Sequence, residues 1–324
     1  MLIDRFGRKI DYLRVSVTDR CDLRCTYCLP KGFKGFEEPR NWLTLDEMYR
    51  VLACFSKLGT KHFRFTGGEP LLRKNLASLI NKMRNLDHKH DLSMTSNATQ
   101  LSVHAQQLKE SGLDRLNISL DSLRKECVQE ITGNDCLEKV LTGLIAAKNA
   151  GFTKIKINMV PLIGVNDQDI EPMIAFCIEH DFIMRMIEVM PMGATGKAST
   201  GKDLTQLLRK LAPKYKLQES MEILGAGPAK YWKSSDNKFT LGLITPISQH
   251  FCETCNRIRL SVDGTLYMCL GQEGAYPLRA MLRAGCSDLE LENSIVQAIE
   301  LKPEKHDFLQ EPDKIIRFMS MTGG

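Results

Sequence analysis

Five of six strand-like segments carry their polar residues on one face only, and this restricts the fold more than any other feature of the sequence. The segments are Tyr12–Val17, His62–Thr66, Leu92–Ser96, Leu116–Leu120, Ile155–Val160 and Ile183–Val189, separated by stretches of helical period. Thr44 with Glu47 three residues on opens the first helix as a capping box. Gly59, Gly112 and Gly151 stand where helices should end. Strands alternating with helices imply right-handed crossovers and a parallel sheet, here a partial (βα)6 barrel of the TIM type.

On the first strand Arg14, Ser16 and Thr18 alternate with Leu13, Val15 and Val17; on the second, Arg64 and Thr66 alternate with Phe63 and Phe65. Ser93, Thr95 and Asn97 then share a face, as do Asn117 with Ser119 and Lys154 with Lys156 and Asn158. A parallel sheet covered on both sides should read as continuous apolar runs, and a closed eight-stranded barrel fills its interior with branched aliphatics. A polar, partly cationic inner face implies a wet or ligand-filled cavity, the alternative being a one-sided sheet facing solvent. The sixth segment departs from the pattern, because Arg185 shares its parity with Ile187 and Val189.

After Val189 the texture changes. Residues 191–201 are small, polar and Gly-rich, which predicts a boundary or a long loop. A helix is expected from about Asp203, then short strands and turns. The expected division is 1–190 as the partial barrel and 191–324 as a smaller α+β region capping its opening.

No apolar run approaches the roughly 20 residues needed to cross a bilayer, and the first residues lack the pattern of a secretory signal. The expected compartment is the cytosol. There the eleven cysteines are poor candidates for a disulfide framework, so clustered ones read as metal ligands. Cys54, Cys127, Cys136 and Cys177, in helical segments, read as small core hydrophobes. The net charge of +5 is spread among acids, without the basic stripe of a nucleic-acid binder, and suits an anionic small molecule.

Six cysteines fall into two groups of three. Cys21, Cys25 and Cys28 follow the end of the first strand, at the edge where parallel α/β proteins carry their active-site loops. Three thiolates on a four-iron cluster leave one iron open; a zinc knot with a distant fourth ligand is the competing reading. Tyr27 precedes the last cysteine, and the second strand runs into Thr66-Gly67-Gly68-Glu69-Pro70. This three-cysteine spacing, aromatic and Gly-Gly-Glu-Pro segment resemble the radical SAM superfamily. The resemblance implies one-electron cleavage of S-adenosylmethionine (SAM) and hydrogen abstraction by the resulting 5′-deoxyadenosyl radical, inside a cavity that excludes water.

Cys252, Cys255 and Cys269 form the second group. Spacing alone allows a second cluster or zinc, with His250 or Cys286 as fourth ligand. The stretch from Asn256 to Leu260 reads as a strand with Arg257 and Arg259 on one face. Together with Arg14, Arg64 and Lys156 they could surround a nucleoside triphosphate.

Over nearly its whole length the chain is similar to the GTP 3′,8-cyclase family of molybdenum cofactor biosynthesis. The match rests on both triads, Gly-Gly-Glu-Pro, the 251–259 stretch and the terminal Gly323-Gly324. It implies [4Fe-4S] clusters on both triads, with SAM at Tyr27, Gly68, Ser119 and Met190. It further implies GTP at Arg14, Arg64, Thr95, Lys156, Arg257 and Arg259, with Arg14 as a candidate catalytic group and the glycine tail reaching into the site. The implied product is (8S)-3′,8-cyclo-7,8-dihydroguanosine 5′-triphosphate. Expected partners are an electron donor such as flavodoxin or ferredoxin and the next enzyme of the pathway. No nucleic acid or membrane is expected, and the chain would be a monomer or homodimer. Competing readings are a peptide-modifying radical SAM enzyme with an auxiliary cluster, and a non-catalytic nucleotide- or zinc-binding regulator.

Overall fold

A computed structural model describes residues 1–30, 32–308, 310 and 315–323. Gly324 lies outside these described residues.

The strands are β1 (Tyr12–Ser16), β2 (His62–Thr66), β3 (Asp91–Ser96), β4 (Arg115–Ser119), β5 (Ile155–Met159), β6 (Ile183–Ile187), β7 (Leu217–Ser220), β8 (Lys230–Ser234), β9 (Thr240–Ile244), β10 (Arg257–Leu260), β11 (Thr265–Tyr267) and β12 (Ala275–Pro277). The helices are α1 (Leu45–Lys57), α2 (Leu76–Arg84), α3 (Leu101–Glu110), α4 (Lys125–Thr132), α5 (Leu137–Asn149), α6 (Ile170–Glu179), α7 (Gly193–Ala198), α8 (Leu204–Lys214), α9 (Arg279–Arg283), α10 (Asp288–Glu300) and α11 (Met319–Thr322).

The first six strands lie side by side in parallel, as the alternation of elements requires, and build a partial barrel. The Thr44–Glu47 capping box opens α1 with both reciprocal hydrogen bonds, satisfying two amides that the first turn leaves without partners. Leu13, Phe63, Leu92, Leu116 and Ile157 point outward from the barrel into one core shared with the helices. Cys54, Cys127, Cys136 and Cys177 are buried, as small hydrophobes should be; Cys136 caps the start of α5 rather than lying within a helix.

The C-terminal part does not form a separate sheet. β10 pairs in parallel with β1, and β9 pairs in parallel with β6. Antiparallel β11 and β12 extend one edge, and β8 and β7 extend the other, in a single twelve-stranded sheet. The Gly-rich stretch at 191–201 is not wholly a loop, because residues 193–198 wind into α7.

The polar strand face does not meet solvent. Ser16, Thr66, Ser93, Asn117 and Lys156 are each at most 3% exposed, which rules out the one-sided sheet. Among the described residues no helix is long and apolar enough to cross a membrane.

Candidate active site

The strand register builds a row of guanidinium groups. Arg14 on β1 stands opposite Arg64 on β2 and opposite Arg259 on β10, so three arginines lie side by side across three adjacent strands. Arg259 is 8% exposed, with Ile258 and Leu260 buried behind it. Arg257, on the same face, lays its guanidinium 4.8 Å from the Phe251 ring centroid. Burial and the neighbouring Arg259 and Arg64 hold the Arg14 guanidinium well below its ordinary pKa. This cost calls for an anion to share the cavity.

A single cavity joins this row to both cysteine groups. Cys21, Cys25 and Cys28 line it beside Tyr27, Gly68, Thr95, Ser119 and Met190. Cys252, Cys255 and Cys269 line it beside Arg257 and Arg259. Of the expected SAM and GTP contacts, only Lys156 is not part of the wall. Its ammonium turns instead to the carbonyl of Leu224 and, at 3.1 Å, to the Tyr231 hydroxyl. Burial, with Arg185 and Arg115 nearby, pushes Lys156 down to about 6.

The two cysteine groups differ electrostatically. Burial pushes Cys21 up to about 12 and Cys28 up to about 11. At Cys255 burial acts the same way, but Arg257 and Lys302 outweigh it and bring the thiol down to about 6. Neither proposed fourth zinc ligand, His250 or Cys286, belongs to the cavity wall; Cys286 sits between α9 and α10, with its carbonyl held by Arg50.

The glycines of the Gly-Gly-Glu-Pro segment serve the protein's own backbone as well as any ligand. A Cβ on Gly67 would lie 2.3 Å from the Thr18 carbonyl oxygen, and one on Gly68 would lie 2.2 Å from that of Arg20. The amides of Gly68 and Glu69 donate to the same two carbonyls, at 2.9 and 2.7 Å. The segment is therefore strapped onto the loop that enters the first triad. Glu69 accepts from Leu71 N, Ser96 Oγ and Asn97 N at 3.1, 2.8 and 2.7 Å, while burial raises it to about 7.

Tyr27 donates from its hydroxyl to Asp121 at 2.6 Å, and Asp121 also accepts from the Val160 amide at 2.7 Å. Burial raises Asp121 to about 6. Asp121→Ala would leave the half-buried Tyr27 hydroxyl without this partner, so a loss of about 1–3 kcal/mol in unfolding free energy is expected. Urea denaturation measures this, and an unchanged midpoint would show that the bond holds nothing in place.

Some wall residues lie outside the expected SAM and GTP contacts. Arg185 donates to Asn158 Oδ1 at 2.9 and 2.6 Å and to Asn117 Oδ1 at 2.7 Å. Its signal was the irregular parity of the sixth strand: Ile187 and Val189 line the cavity on the same parity as Arg185, with Glu188 between them also in the wall. Tyr12 shares the Arg14 face, and its buried hydroxyl has no partner among the described residues. Asn97 reaches Asp22 at 2.8 Å and the Cys21 sulfur at 3.9 Å.

The C-terminal tail enters the same cavity. Met319 and Ser320 line it, and the Gly323 carbonyl accepts from Arg259 at 2.9 Å.

Residues 15–177 match the Radical SAM superfamily, and residues 182–308 match Molybdenum Cofactor Synthesis C. A GTP 3′,8-cyclase of Ectopseudomonas mendocina is 41% identical over 328 residues, which take in 100% of this chain and 98% of that protein. The chain belongs to the GTP 3′,8-cyclase family, within the radical SAM superfamily. Another member, from Pseudomonas putida, is 43% identical over 329 residues, again 100% of this chain and 98% of that protein. Among solved structures, Streptococcus suis SuiB bound to precursor peptide SuiA is similar with a TM-score of 0.64 at 15% identity, over 92% of this chain and 66% of that one. That likeness shows the shared fold alone.

Membership in the GTP 3′,8-cyclase family implies [4Fe-4S] clusters and SAM, and the residues present fit them. Each triad brings three thiols to the wall of one cavity, which is the donor set for clusters with an open iron. Arg14 Nε and Thr95 Oγ1 are buried there without partners among the described residues, as groups awaiting a polar ligand would be.

Proposed function

We propose that this chain converts GTP to (8S)-3′,8-cyclo-7,8-dihydroguanosine 5′-triphosphate, the first step of molybdenum cofactor biosynthesis. The observation that carries this reading is the union of both cysteine triads and the arginine row in one cavity. Full-length similarity to GTP 3′,8-cyclases supports it.

In this reading Cys21, Cys25 and Cys28 hold the first [4Fe-4S] cluster, and Cys252, Cys255 and Cys269 hold the second. When bound, the clusters and SAM supply one-electron chemistry that removes a hydrogen from an unactivated carbon. The chain binds, orients and shields. Tyr27, Gly68, Ser119 and Met190 contact SAM, with Tyr27 kept in place by Asp121. Arg14, Arg64, Thr95, Arg257 and Arg259 hold the nucleotide, and Arg185 joins them. Lys156 reaches the triphosphate by leaving the Leu224 carbonyl. Arg14, at the middle of the row and with its Nε unpartnered among the described residues, is the candidate catalytic group. Residues 1–190 carry SAM chemistry, and residues 191–324 supply the second cluster, the arginine pair and the tail. The enzyme works in the cytosol as a monomer or homodimer, takes electrons from flavodoxin or ferredoxin and passes its product to the next enzyme of the pathway.

Anaerobic incubation with reductant, SAM and GTP tests the proposal. Formation of 5′-deoxyadenosine together with a cyclised nucleotide is expected. SAM cleavage that ignores GTP would leave a radical SAM enzyme with another substrate. For Arg257→Ala and Arg259→Ala, each lost contact to a desolvated phosphate is expected to weaken GTP binding by about 2–5 kcal/mol while sparing SAM binding. Calorimetry decides it; unchanged GTP affinity in both variants would remove the pair from the substrate site.

A further inference from the structure

Lys302 is only 2% exposed. It follows the C-terminal end of α10, and its ammonium donates to the carbonyls of Arg257 and Met268, both at 2.8 Å, and to the Cys255 sulfur at 3.6 Å. An ammonium has three protons and no lone pair, so these contacts use its full capacity. All three acceptors belong to the frame of the second triad: Cys255 itself, the residue two positions beyond it in β10, and the residue immediately before Cys269. One side chain thus ties together the two separate stretches that present Cys255 and Cys269.

A lysine this deeply buried normally has an acidic partner, and among the described residues no carboxylate pairs with Lys302. Its charged neighbours are cations. Arg257 approaches the Cys255 sulfur at 3.9 Å, and Arg8 donates to the Cys252 carbonyl at 2.8 Å. Among the described residues the group in contact that can balance Lys302 as an anion is the Cys255 sulfur.

We infer that Lys302 is the positioning residue and fixed counter-ion of the second iron–sulfur cluster, an inference that rests on reading Cys252, Cys255 and Cys269 as its ligands. A four-iron core held by three thiolates is anionic and becomes more so on reduction, so a buried cation against one sulfur favours the reduced form. Hydrogen bonds and charge near the sulfurs are the protein's means of tuning such a centre. Among the described residues the first triad has no such cation: its Cys21 sulfur accepts from the Leu23 amide at 3.4 Å and from the neutral side chain of Asn97 at 3.9 Å.

The test compares anaerobically reconstituted wild type with Lys302→Met, which keeps much of the apolar stem, and Lys302→Arg, which keeps the charge. Iron and sulfide content, the electron paramagnetic resonance signal of each cluster and a redox titration are measured, with the first cluster as internal control. Lys302→Met is expected to disfavour reduction of the second cluster at least tenfold, about 59 mV for one electron, leaving the first cluster unmoved. Lys302→Arg should stay closer to wild type. An unchanged potential and signal in a Lys302→Met protein holding both clusters would overturn the inference. If Lys302→Met loses the second cluster, retention in Lys302→Arg supports the charge role, and equal loss in both reduces Lys302 to packing and overturns it. A wild type binding only one cluster would remove the reading of the second triad, and the inference with it.

Discussion

Cys21→Ser, Cys25→Ser and Cys28→Ser are each expected to abolish SAM cleavage, whereas Cys252→Ser, Cys255→Ser and Cys269→Ser are expected to lose only the second cluster and retain some cleavage. The three thiols of the first group share the cavity wall with Tyr27 and Gly68, and those of the second stand beside Arg257 and Arg259. A serine hydroxyl is a poor replacement for a thiolate ligand, so each substitution removes one of only three anchors for its cluster. Wild-type protein reconstituted without oxygen should bind about eight irons, and each set of variants about four. Iron analysis and 5′-deoxyadenosine formation are the measurements. Stoichiometric zinc in place of half the iron would overturn the assignment of the second triad. Cleavage of SAM by a first-triad variant at the wild-type rate would overturn the assignment of the first.

Gly323→Ala is expected to reduce cyclised product severely while leaving iron content intact. Gly323 has φ +77° and ψ 119°, a backbone region that residues with a Cβ rarely enter. Space forbids the methyl independently, because a Cβ there would lie 2.2 Å from Thr66 Cγ2. Thr66 is the last residue of β2, directly before Gly67, so the methyl would press on the start of the Gly-Gly-Glu-Pro segment. Undocking the tail would also free the Arg259 guanidinium from the Gly323 carbonyl. The damage is therefore geometric, of the kind that disturbs positioning more than the bulk of binding. Iron content, GTP affinity and product yield separate these effects. Full turnover by Gly323→Ala, or by a protein lacking residues 323 and 324, would show that the tail takes no part in the reaction.

Docking of the tail rests on more than its glycine. Arg317 pairs with Glu273 at 2.6 Å and lies 4.1 Å from the Tyr267 ring centroid. Phe318 packs edge-on against Phe33 at 5.2 Å between centroids. These contacts deliver α11 to the cavity wall, with Thr322 fully buried. Composition alone would have made this segment a frayed end.

By itself the sequence determined what is local. Alternation along a strand assigns each residue to a face, so the inner positions of Arg14, Arg64, Thr95 and Ser119 were legible from parity with their apolar neighbours. The cysteine spacings, the capping box at Thr44 and the paired Arg257 and Arg259 were legible for the same reason, since each lies within a few residues of chain. What parity cannot state is which strand lies beside which. That Tyr12 stands opposite Arg257, bringing the second triad and its arginines to the first strand, follows only when β10 adds to the barrel edge and buries Ile258 and Leu260 against the shared core. The same long-range closure turns the Lys156 ammonium toward Leu224, brings Arg185 to the cavity wall, and sets Lys302 between Cys255 and the strand leading to Cys269. A side chain's face is decided by its own backbone, but its partner is decided by the packing of segments far apart in sequence, and there the tertiary structure alone decides.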